Sequence, residues 1–286
     1  MDRRHFVKSA SAAAGLMVMS PFEFKLERGA GKKYISDRIM LGKTGIEVSR
    51  MAMGTGTNGD NKHSNQTRQL GIKGLSDLLR TAYDRGVFFW ETADQYGSHP
   101  HLKEALKHVP REKVVIMTKT HASTEDEMKV DLDRFRSELG IDYIDIVLLH
   151  CMINKDWPVE KQGAMNYLSQ ARENKLIRAH GVSNHSLEAL QSAAASPWVQ
   201  VNLARINPAG VSMDADVLTV TTILRQMNQS GKAIIGMKIL GAGQLIDRKD
   251  ECLRFALEQE YLNCFTIGIE SLDQFLDLEK RVPECS

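Results

Sequence analysis

Short apolar segments alternate with longer amphipathic segments through most of the chain, and this alternation is the feature that most limits its fold. The apolar segments are rich in β-branched residues and recur at intervals of roughly 30 residues. They cover residues 48–54, 87–93, 114–119, 144–150, 177–183, 198–204, 233–239 and 264–269. Their nearly continuous apolarity is typical of strands that are buried on both faces of a parallel sheet.

The segments between these strands carry the helical period of apolar residues. Residues 75–86 place leucines three and four positions apart and stop at Gly86, whereas residues 124–140 begin with a capping threonine and stop at Gly140. Further helices are predicted over residues 158–174, 186–195, 215–231, 250–260 and 272–282. Eight strand–helix units predict the α/β class and a single (β/α)8 TIM barrel. Five or six units would favour a doubly wound sheet, and no G-x-G-x-x-G motif follows the first strand to support one.

The first residues of the chain follow a different pattern. Arg3 and Arg4 are followed by Phe6, Lys8 and a mildly apolar run of small residues that is too short to span a bilayer comfortably. A basic head before an apolar run is typical of an export signal, and the R-R-x-F-x-K order resembles a twin-arginine signal, which is an address and not an anchor. A frayed N-terminal helix is the alternative.

These features predict a signal and linker over residues 1–33 and the barrel over residues 34–286. We therefore expect the twin-arginine export machinery to be a partner of this chain. The expected location is the periplasm or outside the cell, after folding in the cytoplasm, without a stable membrane anchor.

The charge and the cysteines argue against two other classes of protein. The net charge is +1 and the charged residues are interspersed, so no nucleic acid partner is expected. The four cysteines form no C-x-x-C pair, so no metal site is predicted and no disulfide can be assigned.

Ionisable residues end three neighbouring predicted strands. Glu91 and Tyr96 lie at the end of the second strand, Lys119 ends the third and His150 ends the fourth. The carboxyl ends of the strands form the active face of a TIM barrel. Each residue has a structural explanation by itself, but four ionisable groups at one rim must pair or cost several kcal/mol in desolvation.

Together these four residues are a candidate catalytic group. A lysine ammonium beside a tyrosine lowers the pKa of the phenol, so Lys119 is expected to lower the pKa of Tyr96. Glu91 would orient Lys119, and His150 would donate a hydrogen bond to a substrate carbonyl. Tyr96 would then protonate the developing alkoxide, or act as the base in the reverse reaction.

Several motifs in one order resemble the aldo-keto reductase superfamily: LGKTGIEVSRMAMGTG, ETADQYG, VVIMTK, LGIDYIDIVLLH and IRAHGVSN. The resemblance covers nearly everything after residue 40. It implies the same barrel, NAD(P)H-dependent carbonyl reduction, and a tetrad of Asp, Tyr, Lys and His carried by Glu91, Tyr96, Lys119 and His150. Glu91 departs from the family's Asp, and we expect its ion pair with Lys119 to form nonetheless.

The resemblance also implies residues that bind the dinucleotide. Ser183, Asn184 and Gln200 match residues that hold the nicotinamide carboxamide, Met237 takes the place of an aromatic residue that stacks on the nicotinamide, and Lys238 is expected to face the pyrophosphate. Further contacts are expected from Gly54, Thr55, Leu240, Gly268, Ser271 and Gln274.

The cofactor is expected to be NAD or NADP, with NAD favoured. Glu270 and Leu276 stand where relatives that prefer NADP carry Lys and Arg. A carboxylate repels a 2′-phosphate but can accept a hydrogen bond from a ribose hydroxyl.

Three functions remain open. The leading hypothesis is an NAD(P)-dependent oxidoreductase that interconverts a small-molecule carbonyl (aldehyde, ketone or sugar-like) and an alcohol. A dinucleotide-binding regulatory or vestigial protein is the second, favoured by Glu91, Met237 and the altered segment after the eighth strand. A barrel lyase or isomerase is the third, although no second acid–base pair is evident. The polar segment 54–74 is expected to cover the mouth of the site.

Overall fold

The computed structural model of the protein describes residues 31–286, so the predicted signal lies outside the described residues and only the end of the predicted linker is within them. An antiparallel hairpin of β1 (Arg38–Met40) and β2 (Glu47–Ser49) comes first. Eight parallel strands then close into a barrel in chain order. These strands are β3 (Met51–Gly54), β4 (Phe89–Glu91), β5 (Val115–Thr120), β6 (Ile144–Met152), β7 (Ile177–Asn184), β8 (Val201–Arg205), β9 (Ala233–Met237) and β10 (Cys264–Gly268). The predicted TIM barrel is confirmed.

Helices follow the strands and form the outer layer. They are α1 (Asn65–Asp84), α2 (His99–Leu106), α3 (Glu125–Leu139), α4 (Trp157–Glu160), α5 (Gln162–Glu173), α6 (Leu187–Ala195), α7 (Val217–Gln229), α8 (Lys249–Glu258) and α9 (Leu272–Glu284). Short 3₁₀ turns cover Asp94–Tyr96, Arg111–Lys113, Gly241–Gly243 and Ile246–Arg248. Within residues 31–286, no helix has both the length and the apolarity that crossing a membrane requires.

The first helix begins earlier than its apolar pattern predicts. The predicted loop 54–74 is helical from Asn65 onward, because Ser64 and Thr67 form a capping box. The helix is kinked at Gly71, whose φ of 60° a glycine adopts without strain. The sequence analysis also missed α2, which is short and begins His-Pro-His.

Apolar residues form two layers. One lies between the strands and the helices, and the other fills the inside of the barrel with alternate residues of the strands, such as Val115 and Met117 in β5 or Val201 and Leu203 in β8. The hairpin contributes to the inner layer, since Leu41, Ile46 and Val48 belong to the same cluster. The hairpin therefore closes the amino end of the barrel.

The same alternation decides which residues reach the carboxyl end of the barrel. Because side chains on a strand alternate between its faces, the residue two positions beyond the last apolar interior residue also points inward. These residues are Glu91, Lys119, His150, Arg205 and Met237, and Ser183 lies on the same face of β7, four positions beyond Ala179. Apart from Met237, the residues at the carboxyl end are thus polar or ionisable, above an apolar interior.

Candidate active site

Lys119 and Glu91 form an ion pair inside the carboxyl end of the barrel. The Lys119 ammonium donates to Glu91 Oε1 and, at 2.6 Å, to the carbonyl oxygen of Thr92. The second carboxylate oxygen, Oε2, accepts from the Thr266 hydroxyl at 3.3 Å. Both charged side chains are buried, and their pairing offsets much of the desolvation cost. The expected pair is therefore present even though Glu91 is one methylene longer than the family's aspartate.

Tyr96 lies directly above this ion pair. It ends the 3₁₀ turn after β4, and its ring centroid is 4.5 Å from Lys119 Nζ. Its ring also meets the His150 ring edge-on, with centroids 5.8 Å apart. The structure thus brings together the four residues of the predicted catalytic group.

The pKa of the Tyr96 phenol differs from the expected one. Burial, followed by the negative charge of Glu91, raises the pKa of Tyr96 well above its usual value. The Lys119 ammonium is committed to Glu91 and Thr92 and faces the tyrosine ring, and it makes no hydrogen bond to the Tyr96 hydroxyl within the described range. The predicted lowering of the pKa is wrong, and the phenol stays protonated at neutral pH.

His150 is a neutral, buried imidazole. Burial, and then the nearby positive charge of Lys119, lower the pKa of His150 well below the usual range. Its Nδ1 is buried and finds no hydrogen-bond partner among residues 31–286. His121 stacks on it with ring centroids 4.9 Å apart, and Gln95 Oε1 lies 2.8 Å from His121 Nε2.

Two contacts fix the turn that carries Tyr96. Asp94, at the start of the turn, accepts a hydrogen bond from Arg134 Nη1 at 2.6 Å and pairs with the Lys62 ammonium. The backbone of Gly56 and Gly59 lies flat against the Tyr96 ring, where a Cβ atom would come within 2.1 Å and 2.2 Å of ring carbons. The segment after β3 therefore covers the tyrosine, as the sequence predicted for the mouth of the site.

Ser183 and Asn184 end β7 with complementary groups. The Ser183 hydroxyl accepts from the Cys151 backbone N–H at 2.9 Å, so its own proton remains free to donate. Asn184 Nδ2 donates to Asn202 Oδ1 at 2.5 Å, which fixes the amide and leaves Asn184 Oδ1 buried without a described partner. The Ser183 hydroxyl is a free donor and Asn184 Oδ1 is a free acceptor, and these are the two groups that would pair with the oxygen and the NH2 of a primary carboxamide.

The side chains of other residues predicted to bind the cofactor form hydrogen bonds within the protein. Gln200 precedes β8 at the amino end of the barrel, and its side chain accepts from the His180 backbone N–H at 3.3 Å, so the assignment of Gln200 to this site is corrected. The Thr55 hydroxyl is buried and bonds to the Glu91 carbonyl oxygen and Ser98. Ser271 and Gln274 use their side chains to cap α9.

The remaining predicted cofactor residues surround the rim. Gly54 and Gly268 end the paired strands β3 and β10, and a Cβ at Gly268 would lie 2.1 Å from Thr57 Oγ1. Met237 packs against the interior cluster. Lys238 follows it with a left-handed φ of 57°, and Leu240 precedes the 3₁₀ turn of Gly241–Gly243.

Several residues at this end of the barrel were not predicted from the sequence, namely Gln95, His121, His185, Asn202 and Arg205. Cys151, which was noted but not assigned to the site, lies with them, because its Sγ is 3.7 Å from His185 Nε2. A signal was present only for Arg205, which lies two residues beyond the interior Leu203. The other residues lie in loops or on the outer face of a strand. No pattern in the sequence specifies which residues neighbour those positions.

One group of side chains has the composition of a metal site, although no metal was predicted. Ligand atoms of Asp94, His99 and Glu138 lie within 4.8 Å of one another. Arg134 Nη1 bonds to both carboxylates, at 2.6 Å and 2.9 Å, and Glu138 also pairs with His99 Nδ1 at 2.7 Å. The carboxylates are therefore satisfied by nitrogen donors, and the group is an ion-pair network that supports the turn of Tyr96.

Comparison with curated proteins finds aldo-keto reductases among the similar sequences. A probable aldo-keto reductase of Glycine max is 28% identical over 180 residues, which are 54% of this chain and 50% of the relative. An NADH-specific methylglyoxal reductase of Escherichia coli is 29% identical over 176 residues, which are 51% of this chain and 52% of the relative. The chain thus spans about half the length of the curated relatives it matches.

The solved structure of a holo aldo-keto reductase from Bacillus halodurans superposes with a TM-score of 0.70 at 14% identity and covers 86% of this chain and 90% of that chain, so it shares the fold. The family model of the aldo/keto reductases matches residues 50–270, which include every strand of the barrel and the four clustered residues. The chain therefore belongs to the aldo/keto reductase family.

Proposed function

We propose that this protein is an NAD(P)-dependent oxidoreductase that interconverts a small-molecule carbonyl and an alcohol, with Tyr96 as its general acid and base. One observation carries the proposal. The Tyr96 ring lies 4.5 Å from the Lys119 ammonium and edge-on to His150, at the polar end of an otherwise apolar barrel.

The residues of this group have distinct tasks in the proposed reaction. Tyr96 keeps its phenolic proton at neutral pH because burial raises its pKa, so it can donate that proton to a carbonyl oxygen that is becoming an alkoxide. The phenolate that remains is stabilised by Lys119, whose charge Glu91 and Thr92 hold in place. His150 is neutral and can donate one N–H to the same carbonyl oxygen. A protonated phenol is the form of Tyr96 that acts as the acid in the reductive direction.

The chain offers a site that fits the nicotinamide group. The Ser183 hydroxyl would donate to the carboxamide oxygen, and the buried Asn184 Oδ1, which lacks a described partner, would accept from the carboxamide NH2. Met237 would pack against the ring, and Gly54, Lys238, Leu240 and Gly268 would lie along the rest of the dinucleotide. When bound, the nicotinamide supplies the hydride to the carbonyl carbon.

NAD is the cofactor that we propose over NADP. Glu270 Oε1 accepts from Asn65 Nδ2 at 3.0 Å, so the carboxylate is fixed just before α9. A fixed carboxylate would repel a 2′-phosphate and could accept a hydrogen bond from a ribose hydroxyl. The NADH-specific relative supports the same preference. Titration of the protein with NADH and NADPH tests it, since tighter binding of NADPH would contradict the proposal.

We also propose that residues 1–33 are a twin-arginine signal and linker, and that the barrel of residues 34–286 is exported after folding. A fusion of this segment to a reporter protein, with Arg3→Lys and Arg4→Lys as the matched variant, tests export. A reporter that stays in the cytoplasm with the unchanged signal would refute this part of the proposal and leave the chemistry untouched.

The decisive experiment removes the proton of Tyr96. Tyr96→Phe should lower kcat/KM for carbonyl reduction by roughly 100-fold to 10,000-fold, because the general acid is lost. NADH affinity should change little, since the ring and its packing remain. Tyr143→Phe, at a tyrosine that lies beneath Arg111 far from the rim, is the matched control. Reduction that persists in Tyr96→Phe would refute the assignment of the acid.

A second measurement separates this proposal from the alternative of a dinucleotide-binding protein without turnover. The purified full chain is denatured and any released dinucleotide is identified by mass, and the protein is then assayed with a panel of aldehydes and ketones. Bound or titratable cofactor with no turnover of any carbonyl would favour the alternative. The absence of both binding and turnover would contradict both functions.

A further inference from the structure

Arg205 is an ionisable residue at the carboxyl end of the barrel that the proposed reaction does not use. It ends β8, two positions beyond Leu203, which belongs to the interior cluster. It pairs in register with Met237 on β9. Strand alternation therefore directs its side chain to the same inner face as Lys119, His150 and Met237.

An acidic partner holds the guanidinium in one orientation. Arg205 Nε donates to Asp214 Oδ1 at 2.9 Å, and Nη2 donates to the same oxygen. The Asp214 side chain is fully buried and that of Arg205 is 16% exposed, so the pair is rigid and partly open. Within residues 31–286, Arg205 Nη1 makes no hydrogen bond. The Nη1–Nη2 edge thus retains two parallel N–H donors.

The electrostatic surroundings of this edge favour an anion. Glu91 is paired with Lys119, and Asp214 with Arg205, so the charge of each carboxylate is balanced by a neighbouring cation, although Asp214 Oδ2 is buried without a described hydrogen-bond partner. Lys238 adds a positive charge nearby, because it follows Met237, which pairs in register with Arg205. Burial, and then the charges of Arg205 and Lys238, lower the pKa of His185 to about 4, in keeping with this placement.

We propose that Arg205 binds a carboxylate of the substrate, so that the preferred substrates are carbonyl compounds with a carboxylate, such as oxo acids and aldehyde acids. This inference rests on the proposed function. A planar carboxylate matches two parallel N–H donors, and Asp214 keeps the guanidinium in place without occupying that edge. The pyrophosphate of the dinucleotide is the other anion that could reach Arg205, and the experiment distinguishes the two.

The test compares compounds that differ only in the carboxylate. The full chain is assayed with NADH and two pairs: pyruvate with methyl pyruvate, and 4-carboxybenzaldehyde with its methyl ester. The unchanged protein should prefer the acid in at least one pair by about tenfold in kcat/KM, mainly through KM, as expected for charge-assisted hydrogen bonds. In Arg205→Gln the acid should lose about tenfold and the ester far less. Arg205→Lys should retain part of the preference.

Arg38→Gln is the matched control, because Arg38 also pairs with one carboxylate, that of Glu47, but lies on the hairpin. It should leave the ratio of acid to ester unchanged. An unchanged protein that turns over the esters without preferring an acid, or a preference that survives Arg205→Gln, would overturn the inference and leave the proposed function intact. If Arg205→Gln weakens NADH binding but leaves the ratio of acid to ester in kcat/KM unchanged, Arg205 binds the cofactor and the inference is also overturned. If no compound is turned over, the proposed function fails as well.

Discussion

The two ends of this barrel are built from the same strands but hold opposite kinds of side chain. At the amino end, the hairpin inserts Leu41, Ile46 and Val48 into the apolar interior. At the carboxyl end, several of the next inward positions on the strands are ionisable, among them Glu91 and Lys119. The first end is closed by apolar burial, whereas the second depends on pairing charges that would be costly if left alone.

Backbone conformation shows the same contrast. Among residues 31–286, seven of the eight non-glycine residues with positive φ lie near the end of a barrel strand or in the segment that follows one, and they are Asn58, Asn61, Lys62, Cys151, Ser212, Lys238 and Ala242. Such conformations cost energy and persist only where the surrounding structure imposes them. We therefore expect substitutions at the amino end to affect stability alone, whereas substitutions at the carboxyl end should affect both stability and the proposed reaction.

The largest effect is expected from breaking the ion pair at the carboxyl end. Lys119→Met should lower the free energy of unfolding by about 3 to 5 kcal/mol, because Glu91 is left buried and uncompensated, and should also abolish most carbonyl reduction. Chemical denaturation and steady-state kinetics measure the two losses. The double variant Lys119→Met with Glu91→Gln should regain stability but not activity. Equal instability of the single and double variants would show that the pairing of charges is not what this end depends on.

An apolar truncation at the amino end should affect only stability. Ile46→Ala removes a fully buried side chain from the interior cluster and should cost about 3 kcal/mol in the free energy of unfolding. The KM and kcat of the folded variant should remain within about twofold, since the carboxyl end is untouched. A large fall in kcat at full folding would mean that the two ends are coupled.

Protonation of a buried histidine should weaken the amino half of the barrel at low pH. His180 stacks on Trp198 with ring centroids 4.3 Å apart, and burial, then the charge of Arg172, lower its pKa to about 4. Since its pKa in the unfolded chain is about 6.5, its contribution to stability is fully present above pH 6.5 and is lost as the pH falls toward 4. The loss should be about 2 to 3 kcal/mol.

His180→Phe isolates this contribution, because the ring stays on Trp198 while the titration disappears. The difference in unfolding free energy between the unchanged protein and this variant should therefore depend on pH between about 6.5 and 4. His185→Phe, at the partly exposed carboxyl end, should give a smaller dependence. A difference for His180 that is flat with pH would contradict its burial as a neutral group.

The smallest effect is expected at the turn of Tyr96. Asp94→Asn weakens the bonds from Arg134 and Lys62 and should lower kcat by about tenfold, or about 1.4 kcal/mol, with KM little changed, because Tyr96 is less well placed. Asp131→Asn is the matched control, since Arg134 Nη2 also bonds to Asp131 at 2.7 Å but Asp131 lies in α3. Equal losses of kcat in Asp94→Asn and Asp131→Asn would show that the effect comes from α3 and not from the turn of Tyr96.

The interior of the barrel and the clustering of the four candidate catalytic residues were predictable for one reason. Buried strands impose continuous apolarity and a period of two, so Leu148 and His150, or Met117 and Lys119, are assigned to one face before any contact is known. The capped first turn of α1 and the short α2 were missed, because their glycines, histidines and proline carry weak helical signals.

The sequence by itself determined the eightfold topology, the rim position of Glu91, Tyr96, Lys119 and His150, and the pairing of Glu91 with Lys119, since these follow from periodicity and opposite charge. Only the tertiary structure decided the electrostatics of Tyr96 and the neighbours of the site. The pKa of a phenol depends on burial and on where an ammonium points, and Lys119 is held by Glu91 and Thr92. The loops that bring Asp94, Arg134 and Lys62 together, or Arg205 and Asp214, are long-range contacts that no local pattern encodes.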